Sequence, residues 1–385
     1  MDNKQQTYEA PLTQYLLNKA SRGCLPMSGT FELTPMCNFS CRMCYVRQTR
    51  QEVEQHSRKM MTMAQWLQLA REAREAGMLY LLLTGGEPLI WPDFWPLYEQ
   101  LSEMGFLISI NTNGSLIDER AVERFRKHPP VRLNITLYGA SDETYHSLCQ
   151  VRGSFSRVDR AITLLQEAGI PVKLNGSLTP HNAGDLPAMV EYARARDLIY
   201  EVNTYMLPPL RRRPDQVGVN SGRFTPEEAA RYDLQYRRLQ YGEEAYRHYL
   251  DRIRRGVIPA PGLDSSCVDP VDGRIRCRAG SASFWVTWDG YMTPCGMMPE
   301  PKEDVTVQTF AQAWQAVAEQ SARMRLSGVC RSCPNRQLCQ SCAAMAMAET
   351  GSASGIPRYL CEMVMQMRAI AQQQDPCSPE MTAEK

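Results

Sequence analysis

Met78-Leu79-Tyr80-Leu81-Leu82-Leu83 is an unbroken apolar run of strand length, and Thr84-Gly85-Gly86-Glu87-Pro88 brings it to a stop. A run without polar alternation suits a strand covered on both faces, and parallel sheets are covered on both faces. Working outward, residues 30–33 form a shorter strand candidate. Residues 62–76 then place Met63, Trp66, Leu67, Ala70 and Ala73 at helical spacing behind a Thr62 N-cap. Downstream, helical stretches at 93–103, 118–126, 156–168 and 186–196 alternate with strand candidates at 106–110, 131–137, 172–178 and 198–205. About six β-α units in series predict a parallel sheet with helical crossovers. A closed eightfold barrel takes about 250 residues, more than 29–206 can supply. The expected fold is therefore α/β, an open partial (β/α)6 TIM-like barrel.

The pattern breaks at Leu207-Pro208-Pro209-Leu210-Arg211-Arg212-Arg213-Pro214. A charged, Tyr-rich helical stretch follows at 225–255, and 259–262 makes another break. The expected organisation is an N-terminal extension (1–28), the barrel (29–206), a helical linker (207–263), a small, irregular, cysteine-rich domain (264–363) and a disordered tail (364–385). The arginine run reads as a solvated linker charge, and the methionines as core filler.

The chain has 385 residues, with 43 Lys+Arg against 42 Asp+Glu and a net charge of +1. That balance gives no electrostatic case for nucleic acid or an anionic membrane as the main partner. No apolar run approaches the roughly 18–20 residues that span a bilayer. The polar start Met1-Asp2-Asn3-Lys4 carries no apolar signal-peptide region, so a cytoplasmic location is expected. There the chain's 14 cysteines stay reduced, which points to metal or cluster ligation rather than disulfides.

Cys37-Asn38-Phe39-Ser40-Cys41-Arg42-Met43-Cys44 places three thiols on the loop after the first strand, at the barrel face where chemistry sits. Three thiolates suit a [4Fe-4S] cluster with one iron left open for catalysis. The alternatives are a zinc knuckle lacking its fourth ligand, or unrelated thiols. Glycines such as Gly85 and Gly86 let backbone approach a ligand closely, and Glu87 can accept from an ammonium. Nearer the C-terminus, Cys277, Gly290 and Cys295 precede Cys330-x2-Cys333-x5-Cys339-x2-Cys342 and Cys361. C-x2-C pairs also serve zinc. Cys24, Cys149 and Cys377 stand alone.

With the three-thiol loop, Tyr45 beside it and Gly85-Gly86-Glu87-Pro88 after the second strand, the sequence resembles the radical S-adenosylmethionine (SAM) enzymes. The C-terminal cysteines resemble the SPASM extension of that family, with one departure: two residues separate Cys339 and Cys342 where the family has three. The resemblance covers 29–363. It implies a catalytic [4Fe-4S] cluster on Cys37, Cys41 and Cys44, and S-adenosylmethionine held by the Gly85-Gly86-Glu87-Pro88 element, Tyr45, Asn113, Thr136 and Arg152, the arginine gripping the methionine carboxylate. It implies two auxiliary [4Fe-4S] clusters, one on Cys277, Cys295 and Cys342 with Cys267 as a candidate fourth ligand, the other on Cys330, Cys333, Cys339 and Cys361. The implied activity is formation of a 5′-deoxyadenosyl radical that abstracts hydrogen from a substrate.

Auxiliary clusters in relatives accompany oxidative peptide chemistry, since they can accept a second electron. Modification or crosslinking of a ribosomally made peptide is therefore the leading expectation. The alternatives are radical oxidation or rearrangement of a small molecule (a sugar or cofactor precursor), and a non-catalytic zinc- or cluster-binding protein, for which a methionine site would have no use. Flavodoxin or ferredoxin is the implied electron donor. The 28 residues ahead of Gly29 are too few for the leader-binding domain of many peptide-modifying relatives. Either no leader is needed or a separate leader-binding protein takes it. Gly296 follows Cys295 where sulfatase-maturing relatives carry a catalytic aspartate, so formylglycine formation is not expected.

Overall fold

The computed structural model describes residues 11–208, 222–256, 277–339 and 341–374. The expectations for Arg211, Arg212, Arg213, Cys267 and Cys377 lie outside the described residues. Nine strands make one sheet: β1 (Ser28–Glu32), β2 (Tyr80–Thr84), β3 (Leu107–Thr112), β4 (Arg132–Thr136), β5 (Val172–Ser177), β6 (Tyr200–Asn203), β7 (Ser283–Val286), β8 (Tyr291–Thr293) and β9 (Glu303–Asp304). The helices are α1 (Pro11–Gly23), α2 (Arg50–Gln55), α3 (Met63–Glu75), α4 (Phe94–Glu103), α5 (Glu119–Lys127), α6 (Asp142–Cys149), α7 (Ser154–Glu167), α8 (Leu186–Ala195), α9 (Pro226–Tyr241), α10 (Glu243–Arg254), α11 (Phe310–Ala322), α12 (Gly328–Arg331), α13 (Ala343–Thr350) and α14 (Arg358–Gln373).

The strand order is β6-β5-β4-β3-β2-β1-β7-β8-β9. The first six strands are parallel and in sequence order, as the alternation predicts. β1 pairs in parallel with β7 on its other side, and β8 and β9 continue antiparallel. The strands of the cysteine-rich segment thus extend the barrel's own sheet. Ion pairing reinforces the join: Arg58 grips Asp304 with two nitrogens, at 2.6 and 3.0 Å, and donates to the Asp289 carbonyl at 2.8 Å.

One face of the sheet is apolar. Leu81, Leu83, Ile108, Ile110, Leu133, Ile135, Leu174 and Val202 are buried in the main core. The other face is polar, with Asn111, Asn134, Thr136, Asn175, Ser177, Glu201 and Asn203 lining a cavity. Only β2 reads as continuously apolar. The later strands alternate with period two, because their inner face meets a cavity rather than a packed core.

Local signals set the helix starts. Thr62 and Gln65 form a capping box, as do Thr225 with Glu228 and Thr309 with Gln312. The helical stretch expected at 225–255 is two helices, broken at Gly242, whose φ of 77° is in the region that favours glycine. Residues 364–373, expected to belong to a disordered tail, are helical. α14 runs to Gln373, burying Leu360, Met363, Val364, Met367 and Ala371, a helical repeat that the glutamine-rich composition of this region hides.

Phe31 sits at the seam between the two parts of the sheet. It is fully buried, lies opposite Leu83 on β2 and Val286 on β7, and its ring centroid is 4.8 Å from that of Trp66. Truncating a buried aromatic costs about 3–5 kcal/mol. Phe31→Ala is expected to lower the free energy of unfolding, measured by urea titration, by that amount in one transition. A shift under about 1 kcal/mol would show that the seam carries little of the stability.

Candidate active site

The loop from Cys37 to Cys44 lies between β1 and α2 and is pinned by the end of α6 and by Asn113. The Ser40 and Arg42 amides donate to the carbonyls of Cys149 and Leu148, each at 3.0 Å, and Arg42 Nε donates to Ser147 O at 2.9 Å. These carbonyls end α6 and have no partner within their own helix. Gln150, left-handed at φ 58°, closes that helix. Asn113 completes the clamp: its Nδ2 donates to Asn38 Oδ1 at 2.8 Å and lies 3.7 Å from Cys37 Sγ.

Gly85 and Gly86 are required here by backbone contact. A Cβ on Gly85 would sit 2.5 Å from the Thr34 carbonyl oxygen, and one on Gly86 2.3 Å from that of Met36. The Gly86 and Glu87 amides donate to the same two carbonyls, at 2.7 and 2.9 Å. The turn after β2 therefore fixes the segment that leads into the cysteine loop. Glu87, read from sequence as an acceptor for a ligand ammonium, is fully buried and accepts from Thr112 Oγ1 at 2.8 Å, Asn113 N at 2.7 Å and Leu89 N at 3.1 Å. Burial pushes its carboxyl up to about 7, against the pull of these hydrogen bonds. Glu87 and Pro88 are absent from the cavity wall, so Glu87 ties β2 to the end of β3.

A cavity of about 210 Å³ opens at this end of the sheet. Cys37, Cys41, Cys44, Tyr45, Gly85, Gly86, Asn113 and Thr136 line it together. Asn111, Tyr138, Ser177 and Met206 join them. Ser177 and Met206 were missed from sequence. Ser177 ends β5 on the same face as Asn175, so strand alternation held the clue to it. Arg152 is exposed on the turn between α6 and α7 and does not line the cavity.

The thiols suit a metal cluster. Cys37 Sγ accepts from Phe39 N and Cys44 Sγ from Arg47 N, each at 3.3 Å. Burial pushes the Cys37 thiol up to about 12. Cys41 is pushed up by a hydrogen bond with Cys149 and by burial, which gives the lone Cys149 a place beside the loop. Thiols held protonated by burial are deprotonated when a metal binds, and amides aimed at sulfur stabilise that charge. Tyr138, also pushed up by burial, keeps its phenol neutral beside them.

The C-terminal cysteines fall into two sets. Cys277, Cys295 and Cys342 line one cavity of about 380 Å³, with Cys24. Cys361 is pushed up by burial and by the neighbouring sulfurs of Cys339, Cys330 and Cys333, and Cys330 by burial and by Cys339 and Cys333. Cys342 parts from Cys339 because it is the extended N-cap of α13. Among the described residues no three His, Cys, Asp or Glu side chains converge on a single ion-sized point; the sulfurs instead share walls and neighbours.

Thiols gathered at the open end of a parallel β/α sheet, above a polar cavity, define an enzyme that works through a metal cluster. Residues 31–193 match the family model of the Radical SAM superfamily. The superfamily implies S-adenosylmethionine and a [4Fe-4S] cluster. The chain is 26% identical over 333 residues to the AdoMet-dependent heme synthase of Methanosarcina barkeri, covering 83% of this chain and 92% of that one. It is 31% identical over 170 residues to the PqqA peptide cyclase of Granulibacter bethesdensis, spanning 44% of each. Streptococcus suis SuiB bound to precursor peptide SuiA has the same fold, with a TM-score of 0.62 at 16% identity, over 94% of this chain and 83% of that one.

Gly86→Ala is expected to displace the 34–36 segment and with it the cysteine loop. Reductive S-adenosylmethionine cleavage, read as 5′-deoxyadenosine formed with dithionite, should fall at least a hundredfold. Unchanged cleavage would mean that the turn does not position the loop.

Proposed function

We propose that the chain is a radical SAM enzyme that modifies a ribosomally made peptide by oxidative crosslinking. The observation that carries this reading is the second, larger cavity. It has a volume of about 620 Å³ and continues from the first through Tyr45, Asn111, Thr136, Tyr138 and Ser177. Asn111, Asn134, Asn175 and Asn203 face it from four successive strands. Carboxamides both donate and accept, which is what peptide groups need. Arg237 is the one cation lining it among the described residues, and it stands 3.7 Å from Asp233. A substrate with several carboxylates would find few partners here. The named activities of the peptide cyclase and of SuiB's precursor complex support the same substrate class.

When bound on Cys37, Cys41 and Cys44, the cluster with S-adenosylmethionine supplies one-electron hydrogen abstraction. The chain's own residues do the rest. Asn113 and the end of α6 hold the loop, and Gly85 and Gly86 offer backbone groups at the wall. Thr136 and Ser177 offer hydroxyls to a carboxylate, the role that exposed Arg152 is poorly placed to fill. α9, α10 and α14 cover the larger cavity with Asp233, Arg237, Tyr249, Leu360, Met363 and Met367, limiting water. Arg223, paired with Glu349 and set 3.5 Å over the Tyr359 ring, holds this cover against the end of β6 together with the Tyr205–Glu349 hydrogen bond of 2.6 Å. Electron delivery by flavodoxin or ferredoxin, and a separate leader-binding protein, complete the proposed system.

Co-expression with a peptide encoded beside this chain should yield a product two hydrogens lighter per bond formed. In that system Asn175→Ala should raise KM for the peptide about tenfold, the effect of roughly 1.4 kcal/mol, while cleavage of S-adenosylmethionine without substrate is unchanged. The second reading, a small-molecule substrate, is favoured by the 92% coverage of the heme synthase. It would be supported instead by an unchanged peptide mass with 5′-deoxyadenosine formed on adding a metabolite.

Formylglycine formation is not part of this proposal. A Cβ at Gly296 would meet the Trp285 ring at 2.8 Å, so a catalytic aspartate has no room there. A cysteine-bearing sulfatase peptide should be recovered unmodified by mass spectrometry; conversion to the aldehyde would refute this.

A further inference from the structure

Cys24 carries no role from sequence, yet it shares a cavity with three cysteines more than 250 positions away. That cavity is lined by Cys24, Cys277, Cys295 and Cys342, each from a different segment. Three of the four sulfurs already accept an amide: Cys277 from Ala279 N at 3.4 Å, Cys295 from Met297 N at 3.5 Å, and Cys342 from Met345 N at 3.5 Å. Much of the remaining wall is small or apolar, including Ala279, Pro294, Met298, Ala318 and Ala343.

The backbone delivers Cys24 there at a cost. It follows α1 in the left-handed region, with a φ of 53°. Only a few per cent of non-glycine residues adopt that conformation, and Gly23, the residue that does so cheaply, is one place upstream. Strain of this kind persists where surrounding contacts impose it, and those contacts are present. Trp314 Nε1 donates to the Cys24 carbonyl at 3.1 Å, and Leu25 N to Ala20 O at 3.0 Å. α1 itself is tied to the C-terminal segment by Ser21 Oγ–Ser281 Oγ at 2.7 Å and by Arg278 Nη2 donating to Asn18 Oδ1 at 3.1 Å.

We propose that Cys24 is the fourth protein ligand of the iron–sulfur cluster held by Cys277, Cys295 and Cys342. This rests on the reading that the cavity holds an auxiliary cluster. Four cysteine ligands leave no iron open, so the cluster would pass electrons rather than bind a substrate thiolate. The N-terminal helix then closes the auxiliary site, and the two ends of the chain meet at one metal group.

Alkylation separates the outcomes, because Cys24 and Cys277 are exposed and react unless metal-bound. The full-length, iron-loaded enzyme is treated anaerobically with N-ethylmaleimide, digested and mapped by mass spectrometry, before and after iron is stripped. Protection of Cys24 together with Cys277, Cys295 and Cys342 in the loaded protein, lost on stripping, is the expected result. Labelling of Cys24 alone overturns the proposal and leaves the cluster reading standing. Labelling of all four overturns both. Cys24→Ala provides a second readout in a chain also carrying Cys37→Ala, Cys41→Ala and Cys44→Ala. Mild oxidation should then release one iron and give a [3Fe-4S] EPR signal of about one spin per chain, absent when Cys24 is kept. Equal signals with and without Cys24 would refute ligation.

Discussion

Two stretches of backbone touch where neither can carry a side chain between them. Gly85 and Gly86 press on the carbonyls of Thr34 and Met36, and the amides of Gly86 and Glu87 bond to those oxygens. Everything at the open end of the sheet is referenced to this contact. It sets where β1 releases the chain, and so where the cysteine loop begins. Glu87 carries the constraint across to Thr112 and Asn113, and Asn113 carries it back to Asn38 in the loop. The motif is thus first a device for placing thiols, and its exposed backbone then faces whatever binds beside them.

β1 is the second point on which the molecule turns. Its pairing with β2 builds the barrel, and its pairing with β7 carries the C-terminal segment. The cysteines of that segment are therefore held in fixed relation to the loop after β1 through continuous hydrogen-bonded sheet. Rigid elements of this kind position sites better than loops do. Between them, the walls of the larger cavity come from the strand faces on one side and from α9, α10 and α14 on the other.

Much of this was legible in the sequence, for identifiable reasons. The β-α alternation gave the sheet order, since apolar runs, N-caps and terminating glycines are local signals. The groupings of Cys37, Cys41 and Cys44 and of Cys277, Cys295 and Cys342 were legible from spacing, and each group lines one cavity. What stayed hidden depends on distance. Nothing local says that β7 returns to β1, that α6 ends against Ser40 and Arg42, or that Cys24 comes to line the same cavity as Cys277. Gly86 lines the cavity and also packs on the Met36 carbonyl, while Glu87 is buried against Thr112 and Asn113; neither of these internal contacts shows in the local sequence. Arg152 was a local match that the turn after α6 leaves in solvent. α14 was taken for tail because glutamines on its exposed side masked the Leu360, Met363, Val364, Met367 stripe.

The central proposal is that the described cysteines hold three clusters, one catalytic and two auxiliary. The most direct measurement is iron and acid-labile sulfide per chain in anaerobically reconstituted protein, with Mössbauer spectra of the same samples. The account predicts about twelve irons as three [4Fe-4S] clusters, falling to about eight when Cys37, Cys41 and Cys44 are replaced together. About four irons with bound zinc, or a colourless protein, would contradict it.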